Sequence, residues 1–348
     1  MTKTAVVLFN LGGPDSPAAV RPFLFNLFND PAIITLPRPL RWLLAQFIAL
    51  RRAPIARAIY DKIGGGSPLL ANTEAQAQAL EAALGEGYRV FVAMRYWHPQ
   101  SRVAAAAVRD FAPEDVVLLP LYPQFSTTTT ASSLAAWRDA ATAVGLTAPS
   151  RALCCYPVEA GFIEPIATAI RRVLGRWPRG ARMRLLFSAH GLPEKTVAAG
   201  DPYRWQVEQT VAALRRALGD PTLDCVTCYQ SRVGRLAWIG PGTDAEIRRA
   251  GAEGVGLVVV PVAFVSEHSE TLVELDIEYR HLAEAAGVPT YVRVPTVAAA
   301  PEFIAALARL VRDVQGRRPA TPCSGDGGRL CPPSFTRCPC LAAMPENA

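Results

Sequence analysis

The sequence predicts an α/β protein made of two similar doubly wound domains with parallel sheets, and three observations carry that prediction. Strand-like runs at 5–9, 89–94, 116–119, 184–187, 223–227 and 257–260 alternate with Ala/Leu/Glu/Arg-rich helical segments such as 74–84 and 207–218, which is the βαβ pattern. The runs are continuously apolar, Leu257-Val258-Val259-Val260 most clearly, as strands buried on both faces of a parallel sheet must be. The two halves also echo each other. Leu8-Phe9-Asn10-Leu11-Gly12-Gly13-Pro14 answers to Leu186-Phe187-Ser188-Ala189-His190-Gly191-Leu192-Pro193, and Leu118-Leu119-Pro120 to Val259-Val260-Pro261. At 348 residues the chain exceeds the usual single core, and the boundary is expected between 156 and 161.

Composition narrows the function. Half the residues are hydrophobic and 19% charged, ordinary for a globular protein with a large core. A net charge of +6 would suit nucleic acid, an anionic membrane surface or an acidic small molecule. The arginines are scattered and no nucleic-acid motif is present, which argues against the first. The chain enters a strand at Ala5 without a signal peptide's charged and apolar regions, and no apolar run nears the ~20 residues that span a bilayer. A cytosolic location is therefore expected, with the eight cysteines as thiols or metal ligands rather than disulfides.

Taken in order, the first strand ends in the tight turn Leu11-Gly12-Gly13-Pro14, which is not a dinucleotide fingerprint. Residues 36–57 place Leu40, Leu43, Leu44, Phe47 and Ile48 on one helical face, with Trp42 beside it and Arg38, Arg41, Arg51 and Arg52 around it. Core packing explains the stripe, and so does a helix lying in a membrane interface. Gly64-Gly65-Gly66-Ser67-Pro68 lets backbone approach a ligand closely or serves as a plain turn. Arg95-Tyr96-Trp97-His98-Pro99 ends another strand, suited to stacking on a flat ligand or to edge packing. Thr127 to Thr130 with Ser132 and Ser133 read as a polar loop and helix start.

In the second half, His190 stands at the end of a buried strand. Cys225 and Cys228 sit on a strand, where that spacing points them to opposite faces, and they read as small hydrophobes. After Pro261 a loop carries Glu267 and His268, and apolar residues then take α-helical spacing from about Ser269. Glu270, Glu274 and Glu278 share one face of that helix, where like charges cost ~0.2 to 0.5 kcal/mol per pair. A solvated acidic face and a divalent-cation site both fit, the second because His268 and the carboxylates meet where a strand hands over to a helix.

In their order, these motifs resemble the ferrochelatase family, the enzymes that insert ferrous iron into a porphyrin. The resemblance runs from Leu8 to about Arg312, and also rests on Leu121-Tyr122-Pro123-Gln124, Tyr229-Gln230-Ser231-Arg232-Val233-Gly234 and Trp238-Ile239-Gly240-Pro241. It implies two Rossmann-like domains of the type II chelatase kind, 1–157 and 158–301, with a porphyrin cleft between them. A C-terminal helix and tail, 302–348, would pack on the first. His190 would accept pyrrole protons and meet the metal, with Glu270 facing it; Glu274 and Glu278 would continue an acidic path. Leu11, Tyr60, Ser67, Arg95, Tyr96 and Trp238 would line the porphyrin pocket. Protoporphyrin is the expected substrate, since the apolar, basic lip at 36–57 suits a substrate that partitions into membranes, with peripheral membrane contact to match. A coproporphyrin enzyme and a non-catalytic haem or metal carrier are the alternatives, and monomer and homodimer both stay open.

The tail gathers Cys323, Cys331, Cys338 and Cys340 among prolines and glycines. Four thiolates suit Zn²⁺. Some ferrochelatases instead carry a 2Fe–2S cluster on three tail cysteines and one mid-chain cysteine, which the resemblance implies here for Cys331, Cys338 and Cys340. Thr127 stands where the mitochondrial mid-chain ligand would be, so Cys154 or Cys155 would supply the fourth thiolate. Neighbours on an extended segment point opposite ways, and Cys155 is preferred.

Overall fold

The computed structural model describes residues 3–232, 234, 236–317, 322–325 and 327–340. Among these, nine strands form two sheets: β1 Thr4–Asn10, β2 Tyr88–Met94, β3 Asp115–Pro120, β4 Ser150–Cys155, β5 Met183–His190, β6 Asp224–Gln230, β7 Gly256–Pro261, β8 Tyr291–Arg293 and β9 Cys323–Ser324. The first sheet has the order β2-β1-β3-β4-β9 and the second β6-β5-β7-β8, with all pairings parallel. The helices lie between the strands in sequence, as parallel pairing demands of its crossovers.

The sequence echo has a structural counterpart. In each sheet the first strand lies inside, with the next strand on one side of it and the third on the other. Phe9 pairs with Pro120 in the first sheet and Ser188 with Pro261 in the second, so the strand-ending proline falls within one register position of the same place in both. Strands β1, β3 and β7 are buried along their whole lengths, which is why their residues are apolar without alternation. In such a sheet the order reverses between the first and third strands, and ligands bind beyond the carboxyl ends at that point. Asn10 closes β1 and Leu11 follows it there, while His190 closes β5 and the loop 262–269 follows β7.

The chain divides into two compact units. One runs to Tyr156 and takes in the later segment Leu307–Pro332; the other comprises Pro157–Ala306 with Pro333–Cys338. The core of the first joins Val7, Phe9, Val108 and Trp137, with the Phe9 and Trp137 rings edge to face at 6.0 Å. That of the second joins Leu186, Leu257, Val259, Leu275 and Tyr291. Two glycine loops interlock in the first unit. A Cβ on Gly13 would come within 2.5 Å of Ser67, and one on Gly66 within 2.7 Å of the Asp15 carbonyl.

Five elements are unannounced, wound otherwise than expected, or left open by the sequence. Strands β4, β8 and β9 carry few β-branched residues or are very short, so nothing local announces them. In the helix Arg38–Asp61 the core face is Ala45, Ala49, Ala53 and Tyr60. Its leucine stripe turns outward instead, with Leu40 55%, Leu43 59% and Phe47 56% exposed. Residues Glu270–Glu278 wind as a π-helix, not the expected α-helix, so each hydrogen bond reaches one residue further, as from the Tyr279 N–H to the Glu274 carbonyl.

Candidate active site

At the carboxyl edge of the second sheet, two histidines converge on one carboxylate. His190 Nδ1 lies 2.6 Å from the Gly191 carbonyl, and His268 Nδ1 lies 3.0 Å from the Ser266 carbonyl. A carbonyl can only accept, so in both rings Nδ1 carries the hydrogen and Nε2 is turned to the site. His190 Nε2 is 3.6 Å from Glu270 Oε1 and His268 Nε2 is 3.6 Å from Glu270 Oε2. The side chains are 38%, 11% and 25% exposed for His190, His268 and Glu270, so His190 is the open end and His268 the buried one.

Electrostatics favour charge on Glu270 and His268. Burial raises the Glu270 carboxyl, but the neighbouring His190 and His268 imidazoles outweigh it and hold the acid down to about 2. Burial lowers the His268 imidazole, yet the adjacent Glu270 carboxylate prevails and leaves it above its ordinary value. Gly191 has no room for a side chain: a Cβ there would lie 2.9 Å from the Gln230 carbonyl and 3.3 Å from the Trp238 ring.

The acidic row then changes character along its length. Glu274 accepts from Gln230 Nε2 at 3.1 Å, Ser231 N at 2.8 Å, Ser231 Oγ at 2.5 Å and Tyr279 OH at 3.1 Å, which fills a carboxylate's four lone-pair sites. Burial and the Glu270 charge push its carboxyl upward. Glu278 is exposed. A cavity of about 410 Å³ opens beside Glu274 and Tyr279 and is lined also by Ser231, Arg232, Trp238 and Asp244.

The first unit holds the other residues singled out from the sequence. Leu11 and Tyr60 pack in one cluster with the buried Tyr96, and Ser67 donates its N–H to the Pro14 carbonyl at 2.7 Å. Arg95 Nη2, Tyr96 OH and Ser132 Oγ all converge on Asp30 Oδ2, at 2.7, 2.7 and 2.5 Å. Arg95 Nε also donates to Ser132 Oγ at 2.6 Å, and Ala32 N supplies Asp30 Oδ1 at 2.8 Å. Desolvation, then the Asp30 charge, pushes the Tyr96 phenol far up, so it stays a donor.

Sequence reasoning missed Asp30, Gln230, Ser231 and Tyr279. Gln230 closes β6 at the carboxyl edge and Ser231 follows it, and both could have been found by that position. Asp30 could not, because it meets Arg95 across 65 residues.

The cysteines require corrections. Cys154 and Cys155 do not point apart: their sulfurs are 3.6 Å from each other, because the ladder between β4 and β9 is irregular between Leu153 and Cys155. Cys331, Cys338 and Cys340 are buried. Among the described residues, however, no three or more His, Cys, Asp or Glu side chains are gathered as a metal-holding group, so neither the iron–sulfur nor the zinc reading of the tail gains support. Cys323 Sγ instead accepts from Arg317 Nη1 at 2.6 Å.

Comparison with known proteins gives one consistent family. A ferrochelatase family model matches residues 3–315. The ferrochelatase of Caulobacter vibrioides is 55% identical over 343 residues, covering 97% of each chain. That of Phenylobacterium zucineum is 53% identical, covering 97% of this chain and 98% of the relative, and that of Rickettsia bellii is 43% identical, covering 99% and 96%. Among solved structures, SirB from Bacillus subtilis with Fe3+ aligns with a TM-score of 0.51 at 12% identity, over 90% of this chain and 96% of that one. This last likeness establishes the fold.

Proposed function

The chain belongs to the ferrochelatase family and is a lyase that inserts Fe²⁺ into protoporphyrin to give protohaem, and on that premise we propose that His190 takes up the protons the porphyrin releases, with Glu270 and His268 stabilising the charge it gains. Insertion replaces two pyrrole N–H bonds by bonds to iron, so two protons must leave for each Fe²⁺ that enters. His190 Nε2, with its hydrogen held on Nδ1 by Gly191, accepts the two protons in turn as general base, handing the first to water before it takes the second. The imidazolium so formed is stabilised by Glu270, and His268 on the far side of the same carboxylate shares the charge. The convergence of two backbone-oriented imidazoles on one carboxylate carries this reading. A non-catalytic carrier would need no such proton store.

Glu270 is also the carboxylate open to Fe²⁺ as it arrives. Glu278 forms the outer end of the acidic path, while Glu274 would have to release a donor before it could bind a cation. Leu11, Tyr60, Ser67, Arg95, Tyr96 and Trp238 bind the porphyrin, with Arg95 offering a cation to its carboxylates. Mixing the protein anaerobically with protoporphyrin and Fe²⁺ tests the assignment: the free-base spectrum converts with wild type and persists with Glu270→Gln. Wild-type conversion by that variant would take Glu270 out of the chemistry.

Among the described residues no helix is long and apolar enough to cross a membrane. Peripheral contact through Leu40, Leu43 and Phe47 is supported by their exposure among arginines. The 2Fe–2S cluster on Cys155 or Cys154 with Cys331, Cys338 and Cys340 rests on thiol chemistry and burial alone. A brown protein with acid-labile sulfide, bleached by dithionite, would carry that reading. Colourless protein made anaerobically with ample iron would remove it.

A further inference from the structure

Arg293 closes the short strand β8 and is only 10% exposed. Its Nε and Nη2 grip both oxygens of Asp276, at 2.7 and 2.5 Å, and its Nη1 donates to Glu267 Oε1 at 2.8 Å. Glu267 Oε1 also accepts from Thr296 N at 2.9 Å. One guanidinium thus ties the residue just before His268 to a residue inside the π-helix, and the segment between these two anchors carries both His268 and Glu270. The opposite side of the same helix is held by Glu274 on Gln230, Ser231 and Tyr279.

A π-helix is rare and persists where tertiary contacts impose it. Relaxation of residues 270–278 to α-helical winding would shift the chain by one residue and swing the Glu270 carboxylate by about 100° around the axis, since an α-helix turns once in 3.6 residues. The 3.6 Å approaches to His190 and His268 would then be lost. We propose that Arg293 is a positioning residue: by bracketing the segment between Glu267 and Asp276, it fixes the π winding and thereby the place of Glu270 and His268. The proposal rests on the reading that Glu270 serves iron insertion. Only a forked, planar cation can satisfy Asp276 twice and Glu267 at once, and lysine, as a point charge, cannot.

The test is a double-mutant cycle on the full-length protein, with Arg293→Lys made in the wild type and in Glu270→Asp, which keeps a carboxylate and measurable turnover. In wild type, Arg293→Lys should lower kcat/KM for Fe²⁺ by about 10- to 100-fold, the scale of a misplacement of about 1 Å. Porphyrin affinity, read from tryptophan quenching, should hold within about twofold, because the segment serves the metal side. In Glu270→Asp the same change should cost about twofold or less, as expected of residues acting as one unit. Equal losses in both backgrounds would make Arg293 merely structural, and an unchanged kcat/KM would end the proposal outright. If Glu270→Asp itself keeps wild-type kcat/KM, the reading of Glu270 fails first and the proposal falls with it. Should Arg293→Lys not fold, Asp276→Asn, of the same size and with one acceptor retained, makes the same comparison.

Discussion

Asp30 in the first unit and Glu270 in the second are both acids at the carboxyl edge of a parallel sheet, and they are treated in opposite ways. Asp30 is 2% exposed in its side chain and accepts four short bonds, from Arg95, Tyr96, Ser132 and Ala32. Nothing is left for it to receive. Glu270 faces two imidazoles at 3.6 Å, beyond direct hydrogen-bond length, with a quarter of its side chain open. One acid is finished inside the fold and holds Arg95, Tyr96 and Ser132 in place. The other is left partly unmet, and that is the condition for taking part in proton and metal traffic.

The sharpest way to break this contrast is to remove the open side. His190→Ala should cut iron insertion by roughly 10² to 10⁴, the usual contribution of a general base, with porphyrin binding kept; spectral conversion and fluorescence titration measure the two. Near-normal turnover would remove His190 from the mechanism. On the closed side, Asp30→Asn should act chiefly on stability, by on the order of 3 kcal/mol, because it leaves a largely buried guanidinium unbalanced. Its kinetic mark should be a raised KM for porphyrin rather than a collapse of kcat. Unfolding curves as steep and as stable as those of the wild type would contradict the assignment.

The pH dependence of stability separates the trio from the rest of the fold. The lowered Glu270 stabilises fully above its ordinary 4.5, and that contribution fades as pH falls toward about 2. The raised His268 stabilises fully below its ordinary 6.5 and loses its contribution as pH rises through its shifted value. The stability difference between wild type and Glu270→Gln should therefore peak between 4.5 and 6.5 and shrink on either side. A difference that is flat with pH would mean that the pair is not coupled. The smallest effect concerns the lip. Replacing Leu43, Leu44 and Phe47 with Ser should weaken binding to anionic vesicles roughly tenfold, because side chains that only dip into the interface realise a small part of the about 1.5 to 3 kcal/mol of full burial. If wild type does not bind vesicles, the exposed stripe has another purpose.

How much of this could be read in advance depended on where the determining contacts lie. Strands β1, β3, β5 and β7 carry their burial in their own residues, so the α/β class was legible, as were His190 and Glu270 at strand-to-helix passages. The π winding was not. It depends on Arg293 from a later strand and on Ser231 from an earlier loop, and the Glu270-Glu274-Glu278 spacing looks the same in either helix. The leucine stripe of Arg38–Asp61 showed a face but not its direction, because small alanines, rather than the large residues, form the contact with the core. The approach of the Cys154 and Cys155 sulfurs depends on an irregular ladder that only the partner strand reveals.

That partner strand also bears on how the molecule is born. Cys323 completes the edge of the first sheet against β4, although 171 positions separate it from Ala152, whose carbonyl its thiol meets. At ~5 to 20 residues per second a ribosome needs on the order of 10 to 30 s to deliver that edge after β4 has emerged. For that interval the newborn first unit carries a raw row of backbone donors and acceptors, open to pairing with any other extended chain nearby. A chain released short of residue 323 would keep that row uncovered for life. It would be a seed for association in the cell rather than a trimmed enzyme.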